Sequence, residues 1–488
     1  MNMGEVYIDG VSQTRFGKDT RKLEIMLADV GKAALIHSNC KEPPDLVYIG
    51  NYNHLGYADQ GSLDALVGEE LRKKIESTTP VFHVDRGSAS GAAAVEAAFE
   101  HAKAGKRVLV ISGEKMLLED ADRQKITEET SKILGEKERK FGLNMATVAA
   151  IATTEYMIRY GINQDEIQDI FFRILNKNRE YGSKNRHAYF KNLVSKEDYF
   201  DDKKNPWVAE PLTRNDCAGT YNGAAAAYLV PNETDIKLSG IKSAFSTIKT
   251  EEKHTLTSLN ATVDAARELF QDTGLNPHEI DIVELHDAFQ PVPILAAEDL
   301  GFVERGKGAD FILNEENKNG NRVFYNRSGG FFSKTHPLSA SGTAQLVELV
   351  FQMRGESQYS KMLKGYQDAI NRGLWFSMGG FGYYNVIGII EKTKHPVEKE
   401  GLIEENLPEY LKHGGIIKKY RDRRKVVGST SASDKTGFAV VKNWNGKLQL
   451  VSLQSSVTLG EKVKVIKADI PYIKVSEQVV EILKKIEH

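Results

Sequence analysis

Three side chains have the types and settings for acyl chemistry: Ser88, His286 and His336. Ser88 lies in Asp85-Arg86-Gly87-Ser88-Ala89-Ser90-Gly91, His286 in Leu285-His286-Asp287-Ala288-Phe289, and His336 in Lys334-Thr335-His336-Pro337-Leu338. A histidine within hydrogen-bond reach of a serine hydroxyl takes its proton during attack on an acyl carbon, and a second stabilises the oxygen that becomes negative. The Gly379-Gly380 turn offers a further backbone N–H. Plainer roles compete with these. Ser88 or Ser90 serves equally well as a helix cap, and a single histidine is more often a structural residue than a catalyst.

The elements that must position these groups alternate between strand and helix. Val81-Phe82-His83-Val84 reads as a short buried strand, and Gly91 to Phe99 as a helix whose small residues allow close packing, so Ser88 stands on a strand-to-helix turn. Val6-Tyr7-Ile8 and Asp45 to Gly50 give strands, Leu23 to Ala34 and Gln60 to Leu71 give helices, and Arg107 to Gly113 is a fully apolar strand. The pattern predicts a parallel sheet covered on both faces.

A second portion repeats the first: Ile236 to Ile241 a strand, Ser258 to Thr273 a helix, Ile280 to Leu285 a strand. Ser88-Ala89-Ser90-Gly91 recurs as Ser339-Ala340-Ser341-Gly342, each opening a helix with an acid at the corresponding place, Glu96 and Glu348. Its place in the repeated order of elements marks an internal duplication, by which both histidines are expected near Ser88. Trp375 to Ile390 closes the second half with a Gly-rich turn and an apolar strand.

Between the halves, from Leu117 to Leu212, polar helices and loops read as an inserted lid. Its charged runs, Glu128 to Lys132 and Asn176 to Glu180, are expected to form a solvated face, with a phosphorylated ligand at a pocket mouth as the sharper alternative. Beyond Lys392 the composition shifts. Strand signals over Gly437 to Val451 and Gly460 to Ile466, an Asn445-Gly446 hairpin signal and an alternating edge segment, Lys462 to Val465, predict a small β domain. The domains are therefore read as 1–116, first half; 117–212, lid; 213–235, return to the first half; 236–392, second half; and 393–488, the β domain.

The 488 residues need more than one packed unit, and a net charge of −2 gives no general attraction to nucleic acid or membranes. The basic run Lys418 to Lys425 reads as a solvated linker ahead of a site for nucleic acid or anionic CoA groups. Cys40 and Cys217 have no metal-ligand or disulfide-framework spacing, no run is long and apolar enough to cross a bilayer, and the start lacks a signal segment, so a cytoplasmic protein is expected. No G-x-S-x-G elbow or G-x-G-x-x-G fingerprint opens a βα unit.

From Val6 to Ile390 the chain resembles the thiolase superfamily, nearest to its sterol-carrier-protein-2 and archaeal types. The resemblance rests on Arg86 to Gly91, Ser112-Gly113-Glu114-Lys115-Met116, Asp216-Cys217, Asn222 to Ala226, His286 to Phe289, Asn326 to Gly330, His336-Pro337 and Gly379-Gly380. It implies an α/β fold of two duplicated βαβαβ halves in a five-layered α/β/α/β/α body, a homodimer, and a tunnel for the pantetheine arm of a CoA thioester, which is substrate; no cofactor is implied. His336 matches the histidine that activates the nucleophile and His286 one that lines an oxyanion hole. The amides of Ser88 and Gly379 or Gly380 match a second hole, and Asn326, Gly329, Gly330 and Met116 fall where substrate is bound.

Two departures shape the expected chemistry. Ser88 stands where the family places a nucleophilic cysteine, and Ala288 where the sterol-carrier type places an acid/base cysteine. Serine is a weaker acid than a thiol of pKa about 8.5 and needs its base at the moment of attack. Three readings follow: an acyltransferase carrying the acyl group on Ser88, acting on a carbon–carbon bond or another acceptor in lipid metabolism; a non-covalent, aldolase-type lyase of β-hydroxyacyl-CoA; and a catalytically silent CoA-binding scaffold subunit. The first leads, because a serine is kept where alanine or glycine would serve the others. The carboxy-terminal domain resembles the oligonucleotide-binding-type (OB-like) β-barrels that accompany some of these proteins, which implies docking of a partner enzyme or subunit.

Overall fold

The structure is a computed structural model that describes residues 4–40, 42–75, 78–117, 123–356 and 370–393, together with four strand segments between 416 and 470. In chain order the first half contains β1 (Tyr7–Gln13), α1 (Leu23–His37), β2 (Leu46–Gly50), α2 (His54–Ala58), α3 (Leu63–Ile75), β3 (Val81–Val84), α4 (Ser90–Lys103) and β4 (Val108–Glu114). An excursion follows through α5 (Arg123–Ser131), α6 (Glu136–Lys140), α7 (Met145–Tyr160), α8 (Gln164–Lys184), α9 (Lys196–Tyr199), β5 (Trp207–Ala209) and β6 (Leu212–Thr213) before β7 (Gly223–Val230). The second half runs through β8 (Ile236–Phe245), α10 (Asn260–Thr273), β9 (Ile282–Leu285), α11 (Pro291–Asp299), α12 (Gly308–Asn314), β10 (Phe324–Tyr325), α13 (Gly330–Lys334), α14 (Ser339–Arg354), β11 (Arg372–Gly379) and β12 (Tyr384–Lys392).

Hydrogen bonding joins the strands in the order β10-β9-β11-β12-β8-β1-β7-β4-β2-β3. The row consists of two five-stranded halves with the same internal order, meeting where Tyr7 of β1 pairs with Lys237 of β8. Helices α1 and α3 cover the outer face of the first half, α4 and α14 pack together between the halves, and α10 covers the second, so five layers alternate α/β/α/β/α. The duplicated tetrapeptides explain the tight centre. A Cβ on Gly91 would lie 2.2 Å from the Ser339 carbonyl oxygen, and one on Gly342 2.9 Å from the Ala92 nitrogen, so two helices cross where only hydrogen fits.

The sheet is mixed, where a parallel one was predicted. Strands β2, β3 and β4 are mutually parallel, as are β9, β10 and β11, but β7 and β12 run antiparallel to both of their neighbours. The reason lies in the connections: a tight turn sends β11 straight back as β12, with Gly379 opposite Tyr384. In the first half Glu114 and Gly223 stand opposite each other in the equivalent pair, and residues 115–222 occupy the place of that turn.

Two further expectations are corrected. β3 is an edge strand with Phe82 46% exposed, because a four-residue apolar run reads alike at the edge or in the middle of a sheet. The run Asn176 to Glu180 is not a solvated face, since Asn178 and Arg179 are buried on the side of α8 that faces the body. Residues of β13 (Ile416–Ile417), β14 (Thr436–Lys442), β15 (Leu448–Gln454) and β16 (Lys464–Ile470) form an antiparallel sheet in that order. The Asn445-Gly446 turn and the basic run 418–425 lie outside the described residues.

Candidate active site

Gly87, at φ 62°, turns the chain after β3 and presents Ser88 one residue before the Ala89 N-cap of α4. Ser90 holds this turn, accepting from the Arg86 N–H at 2.8 Å and donating to the Gly87 carbonyl at 2.6 Å. The Ser88 side chain caps nothing. It is 8% exposed and donates across the interface between the halves to the Met378 carbonyl at 2.6 Å.

His286 follows β9 directly, where Asn326 holds the preceding residue twice: its Oδ1 accepts from the Leu285 N–H at 2.7 Å and its Nδ2 donates to the Leu285 carbonyl at 3.0 Å. The Met378 N–H donates to His286 Nδ1 at 3.3 Å, which leaves the ring proton on Nε2. His336 precedes α14, with its N–H on the Gly219 carbonyl at 2.8 Å and its Nδ1 2.8 Å from Ser341 Oγ. With Nδ1–H donating to Ser341, Nε2 carries the lone pair. The two imidazoles meet edge to face with centroids 4.9 Å apart, and Phe331 stacks on His336 at 4.7 Å.

Burial keeps both rings neutral. It lowers His336 to about 3, and it holds His286 well below the ordinary value with the neighbouring His336 as a lesser cause. The site thus pairs a fixed N–H donor, His286 Nε2, with a neutral ring whose Nε2 is an acceptor. Ser88 is tied to the same residue, Met378, that orients His286.

The duplication divides labour between its serines. Ser341, the counterpart of Ser90, steadies His336; Ser339, the counterpart of Ser88, donates at 2.7 Å to Glu114 Oε2. Glu114 also accepts from Asn51 Nδ2 and the Tyr52 N–H, and burial raises its carboxyl to about 7. Asp287 accepts from Asn178 Nδ2 at 2.9 Å and the Phe331 N–H at 2.8 Å, with burial and then Glu284 lifting it to about 8.

Of the remaining sequence-selected residues, Gly379 approaches so closely that its Cβ would fall 2.6 Å from the Arg86 carbonyl, and Gly380 turns at φ 60°. Gly329 and Gly330 form the left-handed entry to α13, where a Cβ would strike Gly182 and Asp287 respectively. Met116 packs in a small apolar cluster with Tyr57, Ile126 and Leu338, the last lying two residues after His336. Met378, Ser341 and Asn178 as site-building residues escaped sequence reasoning. Met378 acts through its backbone, and only the repeat, by equating Ser341 with Ser90, gave a signal for any of them.

Comparison with known proteins agrees with this architecture. Residues 243–392 match the family described as thiolase C-terminal domain-like. An acetyl-CoA acetyltransferase of Methanothermobacter thermautotrophicus is 29% identical over 394 residues, spanning 78% of this chain and 97% of the relative. Human sterol carrier protein 2 is 29% identical over 384 residues, spanning 72% of this chain and 66% of the relative. A solved structure of an Ltp2-ChsH2(DUF35) aldolase superposes with a TM-score of 0.65 at 20% identity, over 81% of this chain and 99% of that one. Residues 243–392 thus carry a thiolase C-terminal-like domain, and the chain as a whole is similar to thiolases and to sterol carrier protein 2.

Proposed function

We propose that this protein is a thiolase-type acyltransferase that accepts an acyl group from CoA on Ser88. The observation that carries this reading is the shared tether: Ser88 Oγ and His286 Nδ1 are both bonded to Met378, so the hydroxyl and the oxyanion donor are placed together. In the acylation step Ser88 Oγ attacks the thioester carbon, its proton passes to His336 Nε2, and His286 Nε2–H donates to the carbonyl oxygen as it becomes negative. The C–S bond then breaks and His336 returns the proton to the departing thiolate. A nucleophilic acceptor reverses the sequence, freeing Ser88.

One observation favours a second reading. The Ser88 hydroxyl donates to a carbonyl and Ala288 supplies no acid, which suits a lyase of β-hydroxyacyl-CoA in which His336 Nε2 takes the β-hydroxyl proton, the Cα–Cβ bond breaks as the new carbonyl forms, His286 holds the enolate oxygen, and His336 returns the proton to Cα. Intact-protein mass after incubation with acyl-CoAs separates the two. Wild type should gain one acyl group and Ser88→Ala none; cleavage of β-hydroxyacyl-CoA without an adduct, undiminished in Ser88→Ala, would establish the lyase instead. If thioesters bind and neither reaction occurs, the scaffold reading replaces both.

The assembly we propose is a homodimer, supported by the unpaired edge of β3 with its exposed Phe82, against which a second copy would extend the sheet. Residues 393–488 are proposed as an OB-like docking domain for a partner enzyme. Neither Cys40 nor Cys217 is in a disulfide among the described residues, which fits the reducing cytoplasm.

A further inference from the structure

Arg179 is 9% exposed as a residue, and its Nε is buried with no hydrogen-bond partner among the described residues. Buried cations are almost always paired, because an uncompensated charge away from water costs several kcal/mol. The adjacent acid does not help: Glu180 faces Lys184 at 3.7 Å. What surrounds Arg179 is aromatic. It lies 4.3 Å over the Phe190 ring, Phe190 meets Tyr221 edge to face at 6.1 Å, and burial lowers the guanidinium to about 10, with Tyr221 a small opposing influence.

This cradle is tied by backbone bonds to the segment that carries His336. The Phe190 N–H donates to the Ser333 carbonyl at 2.9 Å, just before His336. A Cβ on Gly219 would lie 3.0 Å from the Tyr221 ring and 3.6 Å from that of Phe190, and the Gly219 carbonyl receives the His336 N–H. On α8 the preceding residue, Asn178, grips Asp287 beside His286. An arginine stacked on Phe190, with a buried Nε that lacks a partner and with its cradle tied to the His336 segment, is a candidate anion site.

We propose that Arg179 is a specificity residue that binds a carboxylate carried by the acyl group of the substrate, so that the preferred donors are CoA thioesters of dicarboxylic acids. A carboxylate there would complete charge-assisted, bidentate hydrogen bonds to the guanidinium fork. The proposal rests on the acyl-CoA reading above. An acyl-borne carboxylate is favoured over a CoA phosphate because backbone bonds at Phe190 and Gly219 tie the arginine's cradle to the segment that carries His336.

The test measures calorimetric binding of succinyl and butyryl thioesters, each on CoA and on phosphate-free pantetheine, to wild type, Arg179→Met and Arg179→Lys. Wild type should prefer succinyl to butyryl about tenfold or more on both carriers. Arg179→Met should abolish that preference while retaining butyryl binding, and Arg179→Lys should keep part of it. Removing an unpaired buried charge should also raise the Tm of the unliganded Arg179→Met protein, whereas a purely structural arginine would lower it. Equal binding of succinyl and butyryl by wild type overturns the proposal. So does an Arg179→Met variant that weakens both CoA thioesters alike and spares both pantetheine thioesters, which would make the anion a CoA phosphate. Binding of no thioester at all defeats the acyl-CoA reading itself, an outcome distinct from lost selectivity.

Discussion

Ser88 of the first half donates its hydroxyl proton to the carbonyl of Met378 in the second, at 2.6 Å, so the candidate nucleophile is held by the half it did not come from. Substituting Ser88→Cys replaces this strong donor with a weak one and supplies a nucleophile of lower pKa. Alkylation by iodoacetamide, followed by mass spectrometry, should label position 88 in the variant and acyl-CoA should block the label. A variant thiol that stays inert in the folded protein would place Ser88 out of reach of substrate.

Ser341→Ala removes the partner of His336 Nδ1 and leaves a buried ring nitrogen unsatisfied. A stability loss of about 1–3 kcal/mol is expected from chemical denaturation. Acyl transfer should slow by roughly 10- to 100-fold with thioester binding little changed, since Ser341 positions the base and does not meet the substrate.

Folding stability should fall as the pH rises from about 6.5 to 8, while below 6.5 the buried histidine and the buried carboxyls oppose each other. An unfolded histidine takes a proton near 6.5, while His336 resists protonation down to about 3. Below 6.5 the unfolded chain therefore binds more protons at this position, and acidification withdraws stability. The buried carboxyls act in reverse. Asp287 at about 8, and Glu284 and Glu114 at about 7, keep protons that unfolded carboxylates release near 4. Above 6.5 only these carboxyls are at work, so Tm should fall between pH 6.5 and 8. Asp287→Asn should flatten the fall, because Asn178 Oδ1, which lacks a partner, can receive the new amide once Asn178 flips. A fall of the same size in the variant would exclude Asp287 as its source.

Gly91→Ala tests the helix crossing. In an isolated helix the change gains about 1 kcal/mol, but here the added methyl meets the Ser339 carbonyl at 2.2 Å. A net loss of about 1–3 kcal/mol or more is expected. Gly61→Ala, with open space around its Cβ, serves as the neutral control in the same thermal melts.

The order of elements was legible because each half repeats the other, and the recurrence of Ser-Ala-Ser-Gly marked both helices that cross at the centre. Ser88, His286 and His336 were legible because each stands where a strand or loop ends and a helix begins. Strand direction was not: nothing in the composition of Gly223 to Val230 says that it pairs antiparallel to β4. Arg179 and Asn178 sit in a run as polar as any surface helix, and their burial depends on Gly182, Ser333 and Gly329 meeting from segments distant in sequence. Met378 contributes only peptide groups, which every residue has.

The pairing of Glu114 with Gly223 has a thermodynamic corollary. Because the two ends of the 115–222 excursion are already pinned side by side by the sheet, lengthening it costs little closure entropy, about 0.6 kcal/mol for each doubling. The segment's length is therefore cheap to change, but its helices are not, since α7 and α8 share one apolar core with β9, β11 and β12. A chimera carrying another relative's 115–222 segment should accordingly fold only where the donor's α7 and α8 present matching apolar faces to β9, β11 and β12, which thermal melts of such chimeras would check.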